Sequence, residues 1–162
     1  MMQLFGEDGG FDFMKGLHSN INQYTKSGSA PIKAAGRGET TIGIVFMHDA
    51  VKQAVKGFPV KVVAPAEGTG YEIGSMSIID GARNMKEAKA FYDWALSADA
   101  QNLALEVNAF QVPSNTGAKT SASAPDMSTI KLIDYDFKTY GSSATRKRLL
   151  KKWDDEVSVL AQ

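Results

Sequence analysis

The run Thr41-Ile42-Gly43-Ile44-Val45-Phe46 is almost continuously apolar, which is how a strand covered on both faces reads. Asp49 to Lys56 follows with a helical pattern, Gly57 ends it, and Val60-Lys61-Val62-Val63-Ala64 forms a second strand candidate before Pro65. No other stretch constrains the fold as much. Strand, helix and strand in close succession predict a parallel α/β unit with a short crossover.

The flanking sequence is mostly helical in pattern. Phe11, Met14 and Leu17 fall at helical spacing in residues 10–17, with Gly16 weakening the end. Gln3 to Gly6 reads as the tail of a helix, which carries the expectation that further sequence precedes it. Pro31 stands as a first helical residue, and Ile32, Ala34 and Ala35 continue to Gly36. Residues 66–72 are punctuated by glycine and suit a hinge, and Ile73–Ile79 is a third strand candidate interrupted by Gly74. Asn84 with Glu87 resembles a capping box before the apolar face Ala88, Phe91, Trp94 and Ala95. A further helix is expected over Asp99–Val107 and a loop over residues 108–128. A last helix, capped by Ser143, carries the stripe Leu149, Leu150, Trp153, Val157 and Leu160. Lys151 with Asp155 and Lys152 with Glu156 would pair on its solvated face.

Eighteen basic residues balance eighteen acidic ones, so nothing favours nucleic acid or an anionic membrane surface. Without cysteine there is no disulfide framework, thiolate metal site or cysteine nucleophile, and both reducing and oxidising compartments remain open. No segment reaches the roughly 18 apolar residues of a membrane-spanning helix, and no basic segment with an apolar signal core opens the chain. Neither G-x-S-x-G, H-E-x-x-H nor a phosphate-binding P-loop occurs. No nucleophile can be paired with a base, so an enzyme is not expected.

Three constellations can meet a ligand. Thr25-Lys26-Ser27-Gly28-Ser29-Ala30 combines hydroxyls, a glycine and a helix start where unpaired N–H groups can face an anion. Equally, Ser27 or Ser29 can simply cap that helix, and spacing alone favours capping. His48 and Asp49 follow the C-terminal end of the first strand candidate, where ligands of open α/β sheets bind; the alternative is that Asp49 caps the next helix with His48 at the surface. Tyr71, beside the hinge, can offer a phenolic oxygen or can be packed and hydrogen-bonded. Only one other histidine exists, His18, so no histidine cluster can hold a metal.

Taken in order, Tyr24 to Ala34, Arg37-Gly38-Glu39, Ile42-Gly43-Ile44, Gly68-Thr69-Gly70-Tyr71-Glu72-Ile73-Gly74, Asp93 to Ser97, Val112-Pro113-Ser114-Asn115 and Lys131 to Asp136 resemble the solute-binding proteins of bacterial iron(III) ABC importers. That resemblance covers nearly the whole chain. It implies an α/β, type II periplasmic binding protein-like fold comprising the second lobe and a returning part of the first. Residues 1–65 would form the second-lobe segment, 66–75 a hinge crossing, 76–110 the return to the first lobe, and 111–162 a second crossing with a C-terminal helical segment. In that frame the loop Thr25 to Ala30 faces the cleft, which puts anion binding ahead of capping. Iron-binding members place two adjacent tyrosines after the first strand; here Met47-His48 stand there, which leaves that position without a tyrosinate ligand.

The resemblance further implies a substrate-binding component that captures a small anionic solute, such as a phosphate-containing one, or ferric iron. Iron would be cargo rather than a resident cofactor. The expected partner is an ABC permease in the inner membrane, and the expected location is the periplasm, with any signal peptide lying upstream of this sequence. Two alternatives accompany it: a truncated fragment that needs its missing lobe or a domain-swapped homodimer, and an enzyme of the same fold class.

Overall fold

In the computed structural model, which describes residues 1–160, six of the seven helices fall where a helix is expected, and the remaining one, Phe137–Tyr140, falls where none is. The chain divides into two units: residues 1–26, 67–70 and from 131 on, and residues 27–66 with 71–130.

The first unit begins with α1 (Met2–His18), longer than the periodic stretch 10–17 because Gly6 breaks the helix without ending it. Gly6 sits at φ 71°, a conformation nearly free for glycine and costly for other residues. Beyond it, Phe11 and His18 are buried. Two later helices complete the unit, α6 (Phe137–Tyr140) and α7 (Ser143–Glu156). The cap of α7 is Ser142 rather than the expected Ser143, its hydroxyl accepting the Thr145 N–H at 3.2 Å. Val157, just past the helix, is fully buried, whereas Leu150 of the expected stripe is exposed and Leu160 lies beyond the helix end.

Charged contacts tie α1 to α7. Arg148 Nη1 donates to Glu7 Oε1 at 2.6 Å, and this bond holds the Glu7 carboxyl below its ordinary value. Lys15 pairs with Glu156 at 2.9 Å, and Lys151 with Asp155 at 2.6 Å as expected. The anticipated Lys152–Glu156 pair is replaced: Lys152 reaches Asp8 at 3.3 Å and Glu7 at 3.5 Å. Its ammonium also sits 4.5 Å from the centroid of the Phe11 ring, so the same charge meets two carboxylates and an aromatic face. Helical spacing showed which residues share a face of α7 but not which other helix would approach it.

Residues 67–70 join this unit through one parallel bridge, Thr69 to Leu132. The Thr69 N–H donates to the Lys131 carbonyl at 2.9 Å, and the Ile133 N–H to the Thr69 carbonyl at 3.0 Å. Gly68 is required beside it: its φ is +124°, and a Cβ there would come within 3.3 Å of Ile133 and 3.4 Å of the Lys131 carbonyl.

The second unit holds α2 (Ala30–Gly36), α3 (Met47–Val55), α4 (Met85–Ala95) and α5 (Ala98–Glu106). Pro31 opens α2 as its fixed φ favours. Ile32, Ala50 and Val51 are buried where α2 and α3 meet. Ser97 caps α5, accepting from the Ala100 N–H at 3.2 Å, whereas Asn84, N-terminal to α4, makes no side-chain cap bond. The expected loop 108–128 is held to α5 by side chains: Gln101 Oε1 accepts from the Asn115 N–H at 2.9 Å and Asn102 Oδ1 from the Lys119 N–H at 2.7 Å.

The three strand candidates, 41–46, 60–64 and 73–79, are extended but form no ladder; among the described residues the Thr69–Leu132 bridge is the only strand pairing. The cause is the non-local nature of a strand. An apolar run records that the segment needs cover, while its hydrogen bonds depend on a neighbour that the local pattern does not specify. Ile42 remains 78% exposed, Val63 68% and Ile79 80%. On its inner side the first segment lies against α2, and a Cβ on Gly43 would stand 2.8 Å from the Pro31 carbonyl.

Candidate functional site

Ser27 and Ala30 close a turn ahead of α2, the Ala30 N–H reaching the Ser27 carbonyl at 3.2 Å. Ser29 occupies the N-cap, yet its backbone is already helical and its hydroxyl makes no cap hydrogen bond. The simple capping role for Ser29 is therefore not made, and this hydroxyl is not committed to the helix. Gly28 faces the ring of Phe46, which a Cβ would meet at 3.7 Å.

Phe46 is the N-cap of α3 and supplies no cap bond of its own. Its ring stacks on His48 with centroids 5.6 Å apart and planes 16° from parallel. Gly28, Phe46 and His48 thus form a continuous contact joining the loop before α2 to the first turn of α3. At that turn the Asp49 and Ala50 N–H groups both bond to the Phe46 carbonyl, at 3.1 and 3.3 Å. Asp49 does not cap α3; it lies inside the first turn, where its negative charge suits the positive end of the helix. His48 Nε2 is 3.8 Å from Asp49 Oδ2, too long for a hydrogen bond. Both side chains are half-buried, and both can still accept hydrogen bonds from hydroxyl groups.

Of the remaining residues, Thr25 belongs to the first unit, and Tyr71, 38% exposed, opens the second stretch of the second unit. Ser27, Gly28, Ser29, Ala30, His48 and Asp49 are the ones brought into one neighbourhood. Phe46, which connects them, was legible only as a strand residue, and its aromatic ring two positions before a histidine was the signal that pairs them.

Tyr24, adjacent to Thr25, is fixed by a network that the sequence did not disclose. Its hydroxyl lies 2.9 Å from His18 Nδ1, while His18 Nε2 lies 3.1 Å from the Leu160 carbonyl. A carbonyl only accepts, so Nε2 carries the hydrogen, and a neutral His18 accepts the Tyr24 O–H at Nδ1. The Tyr24 ring also stacks on His18 and meets Trp153 edge-on, each with centroids 5.6 Å apart.

Among the described residues no three His, Asp or Glu side chains gather in a metal-binding arrangement, and no helix is long and apolar enough to cross a membrane.

Comparison with known proteins gives these features a family. A Haemophilus influenzae protein described only as uncharacterized is 48% identical over 159 residues, covering 98% of this chain and 46% of its own length. The solved periplasmic binding protein AfuA from Actinobacillus pleuropneumoniae, with exogenous fructose-6-phosphate bound, is 51% identical with a TM-score of 0.91, covering 98% of this chain and 50% of its own. The periplasmic binding protein P5PA is 40% identical with a TM-score of 0.88, covering 97% and 50%. The chain therefore spans about half the length of the relatives it matches, and its fold is a partial, type II periplasmic binding protein-like one. With residues 1–139 matching that family throughout, the chain belongs to the bacterial extracellular solute-binding proteins.

Proposed function

We propose that this chain supplies ligand-holding residues to the substrate-binding component of an ABC importer acting outside the cytoplasm, and that its solute is a phosphorylated sugar passed on to a membrane permease. One observation carries the choice of ligand: a relative 51% identical over nearly the whole chain is described with fructose-6-phosphate bound. The local chemistry supports it. The Ser27 to Ala30 turn, with the uncommitted Ser29 hydroxyl, suits phosphate oxygens. His48 and Asp49 suit sugar hydroxyls, Tyr71 of the same unit completes the proposed set, and Phe46 holds Gly28 and His48 in register. Ferric iron is less well served, since Met47-His48 provide no phenolate.

Thermal-shift titration of this chain with fructose-6-phosphate, fructose, inorganic phosphate and ferric citrate tests the reading. A folded-state ligand raises the midpoint according to its affinity. Fructose-6-phosphate should give the largest shift, and Ser27→Ala with Ser29→Ala should weaken it by about tenfold through loss of charge-assisted hydrogen bonds. A shift with ferric citrate alone would replace the sugar phosphate by iron. No shift with any of the four would mean that this chain does not hold the solute by itself.

A further inference from the structure

We infer that residues 72–77 are a site of endoproteolytic cleavage, for a protease that prefers a large apolar residue on the amine side of the cut, and that the nicked chain stays together as two fragments. The inference does not depend on the solute.

Residues 70–77 are the longest run of consecutively exposed residues among those described. Among the described residues, no backbone–backbone hydrogen bond involves residues 72–77, and no side chain of that span is held by a hydrogen bond or an ion pair. The span is nevertheless pinned at both ends. Before it stands the Thr69–Leu132 bridge, and after it a turn in which the Ala82 N–H meets the Ile79 carbonyl at 3.1 Å. A protease cleft takes its substrate as an extended strand and bonds to the backbone directly, and nicking concentrates in accessible stretches whose backbone is not already bonded.

Other exposed stretches do not qualify. Residues 22–28 are also all exposed, but the Tyr24 hydroxyl lies 2.9 Å from His18 Nδ1, its ring meets Trp153 edge-on, and the Ser27 carbonyl accepts from the Ala30 N–H at 3.2 Å. In residues 42–46 and 61–64 alternate residues are partly buried, and a Cβ on Gly43 would stand 2.8 Å from the Pro31 carbonyl. One side of those segments is therefore closed to a protease cleft.

Within residues 72–77, Ile73 is 66% exposed and Met76 39%. These two large apolar side chains place the scissile bonds at Glu72–Ile73 and Ser75–Met76. Hydrolysis adds one water across the bond: the carbonyl carbon gains the oxygen as its C–N bond breaks, and the nitrogen leaves as the amine with a proton from the water.

Either cut puts α1 and Thr69 on one fragment and α7 and Leu132 on the other. These are the elements that the first unit joins, through Arg148 with Glu7 at 2.6 Å, Lys15 with Glu156 at 2.9 Å, and His18 Nε2 with the Leu160 carbonyl at 3.1 Å. Exposed ion pairs are individually weak, but separation would also bring Phe11, His18 and Val157, all buried, into water. The first unit thus spans the break, and the nicked molecule keeps the size of the intact one.

Limited digestion of the chain with thermolysin, which cuts before large apolar residues, tests both parts. Mass spectrometry should place the first cut before Ile73 or Met76. The two products should elute together at the size of the intact chain and separate in urea. Ile73→Asp with Met76→Asp, both at exposed positions, should slow the first cut by about tenfold or more while leaving the folded chain otherwise intact. Resistance to cleavage, a first cut elsewhere, an unchanged rate in the double variant, or fragments that separate without urea would each overturn the inference.

Discussion

The first unit is joined by side chains and the second is left open along its backbone. In the first, Phe11, His18 and Val157 are buried, and Glu7, Asp8 and Lys15 of α1 all meet partners on α7. In the second, burial is confined mainly to the meeting of α2 and α3, and the extended segments keep their apolar faces in water. The difference shows that contacts very distant in sequence can complete one region while a neighbouring region of the same chain, richer in strand-like sequence, is left incomplete. Strand pairing is collective: one segment without its neighbour gains nothing from its own propensity.

The comparison is most strongly tested by deleting equivalent apolar groups from the two units. Phe11→Ala should cost about 3–5 kcal/mol in urea unfolding, as truncation of a buried aromatic does, whereas Ile42→Ala should change stability by less than about 0.5 kcal/mol in the chain alone. Similar losses for the two would show that the second unit buries its extended segments in solution and would end the contrast. A smaller effect is expected of Tyr24→Phe, about 1–2 kcal/mol, because the buried His18 Nδ1 loses its partner. No loss there would mean that ring packing on His18 and Trp153 anchors Tyr24 without the hydroxyl. The smallest effect separates two caps: Ser142→Ala should cost about 1 kcal/mol, while Asn84→Ala, which removes no cap bond, should leave the midpoint unchanged within error. A cost at Asn84 would show that the sequence signature of a capping box is honoured in solution.

What was legible in the sequence follows the range of each interaction. Pro31 at the start of α2 and the span of α4 are local and were readable, but the expected apolar face of α4 is not covered, with Phe91 60% and Trp94 48% exposed. Gly57 likewise stands just past α3, at φ 87°, as a helix-ending glycine should. The true cap of α7 was missed by one residue because two serines adjoin and only one hydroxyl finds an N–H. The three strand candidates carry no ladder within this chain, although its fold is the partial α/β one expected, since pairing depends on neighbours that a local pattern does not specify. At the site, the loop 25–30 and the His48-Asp49 pair stood out by residue type, but the Phe46 ring that links them became visible only once α2 and α3 were packed. The His18–Leu160 contact spans 142 residues, and no local periodicity encodes it.

The Glu7–Arg148 bond, whose partners are 141 residues apart, also sets a schedule. A ribosome adding 5–20 residues per second needs about 7–28 s to deliver Arg148 after Glu7. Throughout that interval α1 is present without the helix that completes its surroundings, and its apolar side is open to chaperones, proteases and other nascent chains. The second unit's α2 and α3, close together in sequence, face no such delay. The part of the molecule that is best closed at the end is thus the part that waits longest during synthesis, and its vulnerable period is governed by translation speed rather than by its final stability.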